Sequence, residues 1–94
     1  MNLASLVVLV TGSSSGIGEG IVKLFSILGA KVVVTGRTPE KVKRVAKVCK
    51  RLSPYKLKPL EVVADLTKSD DLNRVIAETV KTFGRLDVLG FGHN

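Results

Sequence analysis

Residues 6–11, Leu-Val-Val-Leu-Val-Thr, run straight into the loop Gly12-Ser13-Ser14-Ser15-Gly16-Ile17-Gly18. A strand with one wet face alternates apolar and polar residues. One that is apolar at every position is covered on both faces, as in the middle of a parallel sheet. Parallel neighbours cannot be joined by a tight turn; they need a crossover, usually a right-handed helical one. This segment alone therefore commits the chain to strands alternating with helices in layers, with residues 6–11 as the central strand.

The rest of the chain follows that alternation. Ile17, Ile21, Leu24, Phe25 and Leu28 recur at helical spacing until Gly29, and Lys31 to Thr35 is a second β-branched run. Thr38-Pro39 reads as an N-cap with proline at the first helical position, where its missing N–H costs nothing. That helix extends to about Leu52, with Val42, Val45, Ala46, Cys49 and Leu52 as its apolar stripe, and Ser53-Pro54 ends it. Leu60 to Ala64 is a third strand. Leu72, Val75, Ile76, Thr79, Val80 and Phe83 mark the inner face of a third helix stopping at Gly84, and Leu86 to Leu89 begins a fourth strand. The expected fold is α/β: a partial Rossmann-type doubly wound parallel sheet, β-α-β-α-β-α-β, in strand order 3-2-1-4. In that order the first two helices share one face and only the third covers the other. The fourth strand is an open edge beside the first, so the chain reads as the first half of a larger domain.

Composition narrows the function classes. Ninety-four residues make one small domain, Cys49 is the only cysteine and His93 the only histidine, so a disulfide scaffold and a zinc module are excluded. The net charge of +7 is uneven. Ten Lys/Arg against Glu40 crowd residues 31–60, whereas residues 1–30 are balanced and residues 61–94 are net acidic. Lys41, Lys43, Arg44, Lys47, Lys50 and Arg51 lie off the apolar stripe of the second helix. No aromatic residue interleaves them and no nucleic-acid motif accompanies them, so they read as a solvated outer face and no nucleic-acid partner is expected. The apolar start has no basic residue before it and no small-residue cleavage site after it, and it is far shorter than the roughly 20 residues that span a bilayer. No signal peptide and no membrane partner are expected; the default location is cytoplasmic, with an organelle left open.

The glycine loop is where chemistry enters. Between a strand and a helix, Gly12 permits a tight turn, Gly16 lets backbone N–H groups approach a pyrophosphate, and Gly18 allows close helix–strand packing. The helix N-terminus adds unpaired N–H donors and a partial positive charge. The wording Thr11-Gly12-Ser13-Ser14-Ser15-Gly16-Ile17-Gly18 resembles the T-G-x-x-x-G-x-G fingerprint of the short-chain dehydrogenase/reductase family. Asp65-Leu66-Thr67 is similar to that family's D-[VL]-[TS] element, and Phe83-Gly84-Arg85-Leu86-Asp87-Val88-Leu89 to its F-G-x-[LI]-D-[VI]-L segment, in family order across residues 6–89. The resemblance implies an oxidoreductase of carbonyl and alcohol groups whose dinucleotide is held by Gly12, Ser14, Ser15, Gly16, Ile17, Gly18, Arg37, Asp65 and Leu66, with Asp65 at the adenine. The plainer reading of Asp65 is a helix cap, a task that Thr67 or Ser69 also fits. Asp87 is expected to be structural, Tyr55 a surface aromatic and Cys49 buried and inert.

An NAD site calls for an acidic residue at the end of the second strand, to accept from the ribose 2′-hydroxyl. Gly36 and Arg37 stand there, and a guanidinium suits a 2′-phosphate, so NADP is expected ahead of NAD. After Leu89 the resemblance breaks off. Gly90-Phe91-Gly92-His93-Asn94 replaces the family's N-N-A-G, and its catalytic serine and Y-x-x-x-K have no counterpart, since Tyr55 is followed four positions on by Pro59. No catalytic and no metal residue is therefore assigned. Residues 1–94 read as the N-terminal dinucleotide-binding portion of the family domain with a divergent tail at 90–94, inactive as a truncated chain, and the small-molecule substrate belongs to a full-length parent. The alternative is a non-catalytic nucleotide-binding or partner-interaction module, self-associating through the exposed sheet edge.

Overall fold

The computed structural model describes residues 3–91, Phe91 by its backbone. The apolar run becomes strand β1 (Val7–Thr11), and Val7, Val8, Leu9 and Val10 are all completely buried, the signature of a strand covered on both faces. It is followed by α1 (Gly16–Ile27), β2 (Lys31–Gly36), α2 (Pro39–Leu52), β3 (Leu60–Val63), α3 (Ser69–Phe83) and β4 (Val88–Phe91). The strands form one parallel sheet in the order β3-β2-β1-β4, the expected doubly wound arrangement. Val8 pairs with Val32 on one side and with Val88 on the other.

Alternate residues of the sheet feed two cores. Val8, Val10, Val32 and Val34 pack with Val22 of α1 and with Val42, Val45, Ala46 and Cys49 of α2. On the other face Leu9, Val33, Val62 and Ala64 meet Val75 of α3. The basic side chains of α2 point outward, as its pattern requires, and burial pushes the Cys49 thiol pKa up, keeping it protonated.

Four details differ from the sequence pattern, the first being that Leu52, expected on the apolar stripe of α2, is exposed at the end of that helix. In α1 the buried positions are Gly18, Val22 and Ser26, while Ile17 and Leu24 are exposed. Gly18 lies directly on the loop backbone, and that contact rotates the helix so that the Ile17–Leu24 flank faces out. In α3 Val80 is exposed although Val75 and Thr79 are buried, because no second helix closes that face among the described residues. Strand β4 starts at Val88 and continues through Gly90 and Phe91, while Leu86 packs against the second core. His93 and the rest of the 92–94 tail lie outside the described residues.

Charged groups tie neighbouring elements together. Glu19 of α1 pairs with Lys23 and, at 3.3 Å, with Arg44 of α2, and the bond from Lys23 holds its carboxyl pKa below the ordinary value. Asp87 fastens β4 to the start of β1. Its Oδ2 accepts the Val7 N–H at 2.9 Å, its own N–H donates to the Val7 carbonyl at 3.0 Å, and Oδ1 pairs with Arg85 at 2.6 Å. The Arg85 bond first, then the Val7 amide, lower the Asp87 pKa. A carboxyl that titrates lower folded than unfolded contributes fully above its unfolded pKa and loses the contribution as pH falls through the folded value. Asp87→Asn is therefore expected to lower the melting temperature at neutral pH. The gap to wild type should shrink on acidification to about pH 2, as followed by circular dichroism; a gap that does not change with pH would contradict this role.

Candidate cofactor site

The carboxyl ends of β1, β2 and β3 converge on the glycine loop, next to the point where the strand order reverses between β1 and β4. Gly12 (φ 64°) and Gly16 (φ 61°) adopt the left-handed backbone that bends the chain out of the sheet and into α1. Between them, Ser13 ties the loop to β2. Its N–H donates to the Thr35 carbonyl at 2.9 Å, and its buried Oγ accepts the Thr35 N–H at 2.9 Å. Ser13 was not among the residues singled out from sequence, because the fingerprint leaves its position open. The signal was a hydroxyl one residue past the turn glycine, within reach of a neighbouring strand end.

Gly18 is needed for space rather than conformation. A Cβ there would lie 2.4 Å from the Gly12 carbonyl oxygen and 3.1 Å from the Ser13 Cα. With α1 pressed this closely on the loop, the first helical bond runs from the Glu19 N–H to the Ser15 carbonyl. The amides of Gly16, Ile17 and Gly18 thus have no carbonyl one turn back, and the Ser15 side chain makes no cap bond. Three N–H donors and the positive end of the helix dipole are presented together, an arrangement suited to a pyrophosphate. Ile17, 70% exposed, offers apolar surface beside them. Ser14 is buried beneath the loop, against Gly36.

At the end of β2, Arg37 is exposed and makes no hydrogen bond or ion pair among the described residues. The Ala64 N–H donates to the Gly36 carbonyl at 2.9 Å, which sets Asp65 beside Arg37 at the next strand end. The Asp65 Oδ1 accepts both the hydroxyl (2.6 Å) and the N–H (3.1 Å) of Thr67. The Thr67 hydroxyl, then its amide, hold the Asp65 carboxyl below its ordinary pKa, and the fields of Lys68 and Arg37 add to this. The helix-cap reading of Asp65 does not hold: the N-cap of α3 is Lys68, without a side-chain cap bond. Neither Thr67 nor Ser69 fills that role. The loop is instead clamped from α3, where Asp71 Oδ2 accepts the Asp65 N–H at 2.8 Å and Arg74 donates to the Val63 carbonyl at 2.9 Å. Leu66 is half-buried against the second core.

Other features lie elsewhere. A shallow groove of about 380 Å³ on the outside of α2 is lined by Glu40, Lys43, Arg44, Lys47, Val48 and Arg51, with no loop residue among them. Tyr55 is exposed and Cys49 buried. Among the described residues no three His, Cys, Asp or Glu side chains cluster as metal ligands would, and no helix is long and apolar enough to cross a membrane.

The sequence profile described as short chain dehydrogenase matches residues 6–92, nearly the whole chain. The chain belongs to the short-chain dehydrogenase family. It is 39% identical over 88 residues to 11-beta-hydroxysteroid dehydrogenase 1A of Arabidopsis thaliana, covering 94% of this chain and 25% of that protein. It is 44% identical over 85 residues to the A-factor type gamma-butyrolactone 1′-reductase (1S-forming) of Streptomyces virginiae, covering 90% and 32%. Among solved structures, L-sorbose reductase from Gluconobacter frateurii, complexed with NADPH and L-sorbose, superposes with a TM-score of 0.85 at 30% identity, covering 95% of this chain and 33% of that one. This short-chain dehydrogenase chain thus spans about a quarter to a third of the relatives it matches.

Two glycines of α1 should respond in opposite directions. Gly18→Ala drives a methyl into the Gly12 carbonyl and is expected to destabilise by about 1–3 kcal/mol. Gly20 has nothing within 4 Å of an added Cβ, so Gly20→Ala should stabilise by about 0.5–1 kcal/mol through helix propensity. Urea denaturation of the two variants measures both signs.

Proposed function

We propose that residues 1–94 form the NADP-binding portion of an oxidoreductase that acts on carbonyl and alcohol groups. The observation that carries the reading is that three amides without a helical acceptor at the start of α1 stand near Arg37, whose guanidinium has no partner among the described residues, at the adjacent strand end. NADP carries one pyrophosphate and a separate 2′-phosphate, and these two donor groups answer to the two anions. No carboxylate occupies position 36 to repel the second of them. In the reading proposed here the amides of Gly16, Ile17 and Gly18 hold the pyrophosphate, and Gly12, Ser14 and Ser15 shape the turn beneath it. Ile17 covers the cofactor, Arg37 holds the 2′-phosphate, and Asp65 with Leu66 meets the adenine. When bound, the dinucleotide carries the hydride that is given to or taken from the substrate carbon. The NADPH complex of L-sorbose reductase supports this choice of cofactor for a similar chain.

The substrate-activating groups are proposed to belong to the parent enzyme, because the family's serine and Y-x-x-x-K have no match in residues 1–94. The cytoplasm is the location that goes with this reading. Fluorescence titration with NADPH and NADH tests the cofactor. NADPH should bind more tightly, and Arg37→Ala should remove a preference of about ten- to a hundredfold, the worth of a hydrogen bond to a charged group. Equal affinities that Arg37→Ala does not change would overturn the assignment.

A second reading, a non-catalytic nucleotide-binding module that pairs with another chain, is favoured by the β4 edge. Among the described residues Val88–Phe91 pairs with β1 on one side only, no proline or lysine lies within it, and Leu89 and Val80 are exposed. Under this reading size-exclusion chromatography with light scattering is expected to give a dimer or larger species; a clean monomer at high concentration would count against it.

A further inference from the structure

Gly36 poses a question that backbone conformation does not answer. Its φ is not in the positive range, and glycine inside a strand is a weak choice on its own account. Space supplies the reason. A Cβ at position 36 would lie 2.1 Å from the Ser14 Oγ and 2.8 Å from the Ser14 Cβ, with Val42 Cγ2 behind it at 3.5 Å. Rotating the Ser14 hydroxyl clears the first clash but not the second, since the Cβ is fixed to the backbone. Nor is the loop free to retreat: Ser14 is buried, and its neighbour Ser13 is held to Thr35 by bonds of 2.9 Å in both directions.

We infer that the Ser14–Gly36 contact is a specificity lock on the cofactor site. Position 36 is the end of β2, where a carboxylate would stand to accept from a ribose 2′-hydroxyl. Ser14 keeps that position without a side chain, so Arg37 is the first side chain available to the ribose at this strand end. Cofactor choice is then set by a pair of residues from two elements rather than by Arg37 alone. An acidic residue at 36 does not convert the site by itself, because its Cβ displaces the loop that holds the pyrophosphate. This inference rests on the proposed dinucleotide reading and deepens it.

The test uses the 94-residue chain with Gly36→Ala, Gly36→Asp, Ser14→Gly and the doubles Ser14→Ala/Gly36→Asp and Ser14→Gly/Gly36→Asp, each followed by melting temperature and by NADPH and NADH titration. Gly36→Ala and Gly36→Asp should each lower the melting temperature by about 4 °C or more, as overpacking of a small domain does. Both should weaken NADPH and NADH by about tenfold or more. Adding Ser14→Ala should not help, because the Cβ remains. Adding Ser14→Gly should restore the melting temperature to that of Ser14→Gly alone and bring NADH binding about tenfold above the wild type. The lock is overturned if Gly36→Asp alone melts like the wild type and takes NADH, or if Ser14→Ala rescues as well as Ser14→Gly. A wild type that takes neither dinucleotide overturns the cofactor reading and the specificity role with it. The melting temperatures still report separately whether the contact exists.

Discussion

The architecture rests on the burial of β1 on both faces. Val7 to Val10 expose nothing, and such a strand exists only if helices close over both sides and other strands pair along both edges. Val8 and Val10 are covered by α1 and α2, Leu9 by α3, and the edges are taken by β2 and β4. Removing any one of these neighbours would bare part of a strand that has no polar residue before Thr11.

The same strand aims the loop. Where β1 ends, Ser13 continues its hydrogen bonding to β2 for one more residue, so the loop is an extension of the sheet and not a free connector. Gly18 lets α1 settle on Gly12, and Gly36 leaves room for Ser14. The amides at the start of α1, the guanidinium of Arg37 and the carboxylate of Asp65 thereby gather at the carboxyl end of the sheet, Arg37 and Asp65 within a residue or two of the ends of β2 and β3 and the amides on the helix that follows the loop. The backbone amides, and Asp65 through its bonds to Thr67, are held before a ligand meets them and suffer little loss of conformational entropy, whereas the exposed Arg37 side chain must be ordered.

The strand order, the helix boundaries and the family were legible in the sequence because they depend on periodicity and on glycine spacing. Pro39 starts α2 and Leu52 ends it, as their pattern indicates. What was not legible depends on how closely backbones approach. Ile17 and Leu24 match an inward stripe, yet the contact between Gly18 and Gly12 turns them outward. Val80 matches an inward stripe as well, but only α3 lies on that face of the described chain. Ser13 and the Ser14–Gly36 contact join residues more than twenty positions apart, and no local pattern records such a pair. Asp71 and Arg74 likewise look like ordinary helix-surface charges until their bonds to Asp65 and Val63 are seen.

The Asp87 clip has a consequence for the order of assembly. β1 emerges first in synthesis, but one of its two edges is filled by β4, whose anchoring bond to Val7 spans 80 residues. The βαβ unit of β1, α1 and β2 is local and can form early, whereas closure at the Val7–Asp87 junction must wait until nearly the entire described chain has left the ribosome. Until then the most apolar strand of the protein carries an unpaired edge, a template for wrong partners. The stretch between β2 and β4 thus sets how long a nascent chain is vulnerable to aggregation. A chaperone that shields this edge would act on the β1–β4 pairing, whose partners lie 80 residues apart.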